Sequence, residues 1–164
     1  MSEPIKEQST PKFRVAAASL VVAASTLVGI AVNEGYSSKA YYDSGHVATD
    51  GFGQADGVKI TDTTTPVRAL IQLEKSVNIY AQGVRNCIQA PLFQYEFDSY
   101  TDLAYNVGVN AFCKSPIAVK ANQQDYQGAC NAMLGWYIHD HQGHLIPGLV
   151  SRRQKEYSTC IGQS

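Results

Sequence analysis

"GIAVNEGYSSKAYYDSGHVATDGFG", residues 29–53, holds the information that decides the fold. An apolar run ends at Val32, and the carboxylate Glu34 follows almost at once. Asp43 comes nine residues after Glu34 and Thr49 fifteen after it, just ahead of Gly51-Phe52-Gly53. Membrane-length apolar segments and closely spaced carboxylates usually belong to different proteins, so their junction needs an explanation.

Upstream, Val15 to Val32 is 18 residues without a charge, flanked on its N-terminal side by Lys6, Lys12 and Arg14. As a helix it would cover roughly 27 Å, close to the ~30 Å hydrocarbon core. The flanking cations place the N-terminus in the cytoplasm. Eight large aliphatics stand among ten Ala, Ser, Thr and Gly residues. At about −0.3 to −0.6 kcal/mol each, those eight supply only roughly −2 to −5 kcal/mol of insertion energy. Three readings follow: a cleaved signal peptide with Gly29-Ile30-Ala31 as its site, a buried helix of a soluble domain, or a segment that serves first in the membrane and later outside it.

Downstream, Ala40–Asp43, Val47–Thr49 and Val58–Ile60 are short Tyr/Val/Ile pieces between glycines, which predicts a small antiparallel sheet. Thr65 and Pro66 cap and open a helix with Val67, Leu70, Ile71, Leu73, Val77 and Tyr80 on its apolar face. Further helices are predicted over about 93–107, from Ser115-Pro116, from Asp125 to about Trp136, and after Pro147. The fold class is α+β: an N-terminal helix, a small antiparallel sheet, and a mostly helical body.

At 164 residues with a net charge of −1, one domain is expected and no basic surface for nucleic acid is present. The four cysteines, Cys87, Cys113, Cys130 and Cys160, form no C-x-x-C pair. An even count in an exported chain suggests two disulfides rather than zinc. His139, His141 and His144 in "HDHQGH" read as a solvated loop, with no metal site. Trp136 and Tyr137 read as core, and Arg152 and Arg153 as a solvated or ion-paired helix face.

Glu34 closes a helix, where the negative end of the dipole disfavours ionisation, whereas Asp43 follows a strand in a polar, turn-rich setting. Two carboxyls in opposed environments are what glycoside hydrolysis requires, one as acid and one as base or nucleophile. The hydroxyl of Thr49 is suited to hold a water beside Asp43.

The pattern helix–"NEG"–"YYD"–"TDGFG" resembles the phage-type lysozymes, the family of the T-even and lambdoid phage enzymes. Their signature is an acidic residue closing the first helix, Asp nine later and Thr six beyond it, before a Gly-x-Gly turn; Glu34, Asp43 and Thr49 match it residue for residue. "FDSYTDLAYNVGVNAFCKS" (97–115) and "GLVSRRQKEYSTC" (148–160) extend the resemblance over nearly the whole chain from Glu34 on. It implies a muramidase: an endolysin cutting the β-1,4 bond between N-acetylmuramic acid and N-acetylglucosamine of peptidoglycan. Glu34 would protonate the leaving oxygen, and Asp43 would activate water with help from Thr49. His46, Gly53 and Asn106 are candidate substrate contacts. No cofactor, metal or nucleic acid is implied, and a monomer is expected.

Cleavage after Ala31 would remove the helix that positions Glu34, so the signal-peptide reading fits poorly. Lambdoid relatives with a signal-arrest-release segment imply the third reading. Residues 1–12 would be a disordered cytoplasmic tail, 13–33 the signal-arrest-release helix and 34–164 the catalytic domain. The enzyme would sit in the host inner membrane and pass to the periplasm on release. Of three cysteine pairings, Cys87–Cys113 and Cys130–Cys160 join ends of successive helices, and the resemblance favours the same pairs. The rival readings are a lytic transglycosylase, which needs no Asp base, and a tethered wall-binding or holin-like protein without catalysis.

Overall fold

The computed structural model describes residues 13–136, 138–140 and 142–163. The predicted tail, residues 1–12, and Tyr137 and His141 lie outside the described residues.

The apolar run does not form one helix. It starts as strand β1 (Val15–Ala16), makes a 3-10 turn (Ala17–Ser19), runs extended through residues 20–23, and becomes helix α1 only at Ala24–Glu34. The physical reason lies in partners elsewhere in the fold. β1 pairs antiparallel with β4 (Pro91–Leu92). Arg85 Nη1 donates to the Leu20 carbonyl at 2.9 Å, and Gln94 Nε2 to that of Val21 at 2.7 Å. Ala23 N–H donates to Asp98 Oδ1 at 3.0 Å. These bonds satisfy backbone groups that a helix would otherwise pair internally, at the β-branched Val21-Val22 step where helix propensity is weak. Among the described residues no helix is long and apolar enough to cross a membrane.

After α1 come β2 (Ser37–Tyr42) and β3 (Ala48–Gly51), an antiparallel hairpin with Tyr41 opposite Thr49 and an irregular register between Ser37 and Tyr41. The predicted third strand, Val58–Ile60, does not form. Gly57 has φ of +71° and Asp62 Oδ2 accepts from Lys59 N–H at 2.9 Å, so turn chemistry prevails over β propensity there. Residues 62–64 cover the free edge of β2 instead: Ala40 N–H donates to Asp62 O and Thr64 N–H to Ser38 O.

The helical body follows as α2 (Pro66–Cys87), α3 (Gln94–Val107), α4 (Val109–Cys113), α5 (Pro116–Asn122), α6 (Tyr126–Met133) and α7 (Pro147–Cys160). Thr65, Ser115 and Asp125 cap α2, α5 and α6 with their side chains, as their sequence positions predict. α6 ends at Met133, short of the expected Trp136, and α4 is an element the sequence reading did not separate. α2 spans both cores. Its Leu73 and Val77 meet Ile30 and Ala31 of α1, while Ala81 and Val84 join Phe97, Tyr100, Leu103, Phe112 and Met133 in the larger core. The disulfides Cys87–Cys113 and Cys130–Cys160 tie α2 to α4 and α6 to α7, as expected.

Candidate active site

Glu34 is the last residue of α1, and Gly35 turns the chain away at φ +72°. Only Ile30 and Ala31 of α1 are buried, so this helix end is held chiefly by their seat on Leu73 and Val77. The Glu34 carboxylate is anchored on one side: Arg152 Nη1, from α7, lies 3.3 Å from Oε1. Its other oxygen faces the turn after β3, where a Cβ built on Gly53 would stand 3.7 Å from Oε2.

Arg152 is shared. Nη2 reaches Asp102 Oδ1 of α3 at 2.7 Å, and Nε reaches Glu156 Oε1 at 3.3 Å. The carboxylates around it raise its pKa against the opposing effect of burial. Behind it Arg153, fully buried, donates to Glu156 Oε2, to the side-chain carbonyl of Asn106 and, at 3.0 Å, to the Trp136 carbonyl. Burial pushes the Glu156 carboxyl up, and Asp102 adds to that effect, while the two guanidiniums oppose it. Glu34 therefore ends a polar chain that runs across α7 to Asn106 near the end of α3 and to the Trp136 carbonyl beyond α6.

Asp43 and Thr49 belong to the hairpin and meet through one peptide. Asp43 Oδ1 accepts from Gly45 N–H at 2.9 Å and Val47 N–H at 2.8 Å. The Val47 carbonyl accepts from Asp43 N–H at 3.0 Å and from the Thr49 hydroxyl at 3.1 Å. Among the described residues no donor reaches Asp43 Oδ2. Thr49 is buried, with its hydroxyl turned to the hairpin. His46 is exposed at the hairpin tip with φ of +60° and its ring edge-on to Tyr42.

The structure thus brings Glu34 and Gly53 together, and separately knots Asp43 to Thr49. It gives Asn106 a structural partner in Arg153. Sequence reading missed Arg152 as a neighbour of the acid. The Arg152–Glu156 spacing was readable as a helical i,i+4 pair, but the contact to Glu34 crosses 118 residues. It also missed Gln54 and Tyr105. Gln54 Nε2 donates to the Tyr105 hydroxyl at 3.2 Å. Burial pushes that phenol up, and the charge of Glu34 adds to the shift. At the 138–146 hairpin, Asp140 Oδ1 accepts from Gln142 and His144 N–H groups, and Oδ2 lies 3.3 Å from His144 Nδ1. This makes a turn led by the Asp140 side chain.

Comparison with known proteins gives a consistent picture. The family model described as phage lysozyme matches residues 31–156. The endolysin of Acyrthosiphon pisum secondary endosymbiont phage 1 is 32% identical over 132 residues, covering 79% of this chain and 90% of that protein. The SAR-endolysin of Escherichia phage Mu is 35% identical over 78 residues, covering 48% of this chain and 44% of its own length. Among solved structures, the endolysin from Escherichia coli O157:H7 phage FAHEc1 superposes with a TM-score of 0.80 at 27% identity, over 93% of this chain and 98% of that one.

Proposed function

The chain belongs to the phage lysozyme family and is an endolysin, a muramidase acting on bacterial peptidoglycan; on that premise we propose that Glu34 is its general acid and Asp43 its general base. Glu34 protonates the glycosidic oxygen as the bond to the departing sugar breaks. Asp43 takes a proton from a water that attacks the anomeric carbon from the other face. Thr49 holds that water, its hydroxyl turning from Val47 to accept or donate as the proton moves. His46 and Gly53 border the sugar path.

The observation that carries this reading is the half-anchored state of Glu34. One oxygen is engaged by Arg152 and the other faces the hairpin turn at Gly53. An acid fixed in this way delivers its proton in one direction. The direct test is Glu34→Gln assayed by turbidity clearing of outer-membrane-permeabilised Gram-negative cells. General acid–base catalysis accounts for roughly 10²–10⁴-fold, and a loss of that order is expected with an unchanged melting temperature. Full activity in Glu34→Gln would end the assignment. Analysis of the released sugars separates hydrolysis, which yields reducing ends, from a transglycosylase route, which yields anhydro sugars.

The same proposal covers location. The chain is exported by residues 15–32 with its N-terminus in the cytoplasm, waits in the host inner membrane, and works as a monomer in the periplasm after release. The cations ahead of Val15, the weak insertion energy of the run, and the similarity to the SAR-endolysin of phage Mu support this reading.

A further inference from the structure

Arg14 is the last cation before the apolar run. In the folded chain its guanidinium is held on several sides. Nη2 donates to Glu96 Oε1 at 2.7 Å and Nε to Glu96 Oε2 at 3.0 Å. Its central carbon lies 4.3 Å from the centre of the Phe93 ring and 3.7 Å from that of Tyr126. Glu96 is only 2% exposed, and its Oε2 also accepts from Phe93 N–H at 2.8 Å. The Tyr126 hydroxyl is itself tied to the Pro91 carbonyl at 2.8 Å. A buried carboxylate needs a cation beside it. A planar fork that also stacks on rings suits arginine rather than lysine.

The fastening continues along the chain. Val15 and Ala16 pair with Leu92 and Pro91. Leu20, Val21 and Ala23 are bonded to Arg85, Gln94 and Asp98. These contacts to residues 14–23 all lead to one stretch, 85–98, with Tyr126 beside Arg14. If residues 15–32 lie in a bilayer with the N-terminus inside, Arg14 and Glu96 are on opposite sides of it and none of these contacts exists.

We infer that Glu96, Phe93 and Tyr126 form a latch that receives Arg14 once it has crossed the membrane, and that its closing keeps residues 14–23 from returning to the bilayer. The inference rests on the membrane stage proposed above. One charge then serves twice: inside the cell it orients the segment, and outside it closes the latch. Return to the membrane would require unstacking the guanidinium and breaking its bonds to Glu96 before any apolar surface could re-enter lipid.

The test compares the full-length wild type with Arg14→Gln, Glu96→Gln and the double variant. Glu96→Gln leaves the membrane segment untouched and keeps an acceptor for Phe93 N–H. Arg14→Gln changes only the margin of the described fold. Hydrogen exchange of residues 13–23 in the soluble enzyme reads latch closure, and co-sedimentation with phosphatidylethanolamine–phosphatidylglycerol vesicles reads return to lipid. Each single variant is expected to speed exchange and raise vesicle binding about tenfold, the scale of a charge-assisted hydrogen bond. The double variant should go no further than either single, and wall hydrolysis without vesicles should be unchanged. Additive effects, or exchange and vesicle binding equal to wild type in both singles, would overturn the latch. So would faster exchange without added vesicle binding. Fractionation of cells separates the two proposals. Wild type absent from the membrane before depolarisation defeats the membrane stage. Wild type present there, with Glu96→Gln released and retained in solution just as well, defeats the latch alone.

Discussion

Gly53 is constrained by its own backbone and by its neighbour. Its φ of +79° lies in the region where a side chain strains the backbone, and a Cβ there would lie 3.7 Å from the unanchored oxygen of Glu34. Gly53→Ala is therefore expected to cost about 1–2 kcal/mol of stability and to lower kcat by putting a methyl in van der Waals contact with the Glu34 oxygen proposed to deliver the proton. Denaturant titration and initial clearing rates measure the two effects; an alanine variant with unaltered kcat would remove Gly53 from the site. The residues of the candidate site differ in how far the sequence revealed them. Glu34, Asp43 and Thr49 lie within sixteen positions of one another, and the spacing itself is the signal. Arg152 is invisible by that logic because its contact depends on how α7 is laid against the end of α1. The helix-end argument for Glu34, made from one helix alone, contains nothing of the guanidinium 3.3 Å away. The same holds for Arg153. The arginine doublet reads as a solvated or ion-paired helix face; Arg153 is ion-paired but fully buried, because Glu156 of α7, Asn106 of α3 and the Trp136 carbonyl beyond α6 supply its partners.

At the scale of elements, α1 has no capping side chain of its own: Ala23 stands at its N-cap position. Asp98 of α3 takes that role from outside, accepting the Ala23 N–H at 3.0 Å, with Gln94 Nε2 3.1 Å away on the same oxygen. Burial pushes the Asp98 carboxyl up, and the bonds from Ala23 and Gln94 oppose the shift without cancelling it. The folded chain thus holds this proton more readily than the unfolded chain. The contribution of Asp98 to stability is fullest in acid and declines as pH rises through the ordinary aspartate range to its raised value. Asp98→Asn keeps an acceptor for Ala23 and carries no charge. Its stability relative to wild type should accordingly improve between about pH 3.5 and about pH 7. Denaturant midpoints at the two pH values check this, and a gap that is constant or moves the other way would contradict it. This cap supplied from outside also shows why the N-terminal segment of the folded chain is not one continuous helix. Thr65-Pro66, Ser115-Pro116 and Asp125 announce their helices locally, and those helices begin where the sequence says. The break between Val15 and Ala23 is dictated by Arg85, Gln94, Asp98 and β4, some 65 to 80 positions away. Val58–Ile60 failed as a strand for the converse reason. A local turn at Gly57 and Asp62 satisfied its backbone first, and residues 62–64 took the sheet edge.

For the whole molecule, the proposed membrane stage turns on a comparison between burial of residues 15–32 in a bilayer and their docking on the helical body. The insertion side is weak, at only a few kcal/mol from eight aliphatics. The membrane potential adds to it. Residues 1–14 carry three cations against two carboxylates, a side-chain balance of +1. Moving that charge outward across a negative-inside membrane costs at most about 2.3 kcal/mol per 100 mV. The two terms are of similar size, so collapse of the potential is expected to shift the chain toward release. Ser25 and Gly29 allow the lipid side to be changed by itself. Both are exposed and line a cavity of about 640 Å³ between α1, α3 and α7. A Cβ added at Gly29 meets nothing within 4 Å. Leucines at both positions therefore fit the docked fold while deepening the membrane well. The Ser25→Leu/Gly29→Leu chain should remain in the membrane pellet after an uncoupler is added, with its wall hydrolysis suppressed, whereas the natural chain moves to the soluble periplasmic fraction. Detergent-extracted variant, free of bilayer, should hydrolyse walls at the natural rate, since the substitutions touch neither Glu34 nor the hairpin. Retention of the natural chain after depolarisation, or equal release of the leucine variant, would show that the balance between bilayer and body is not what governs this enzyme.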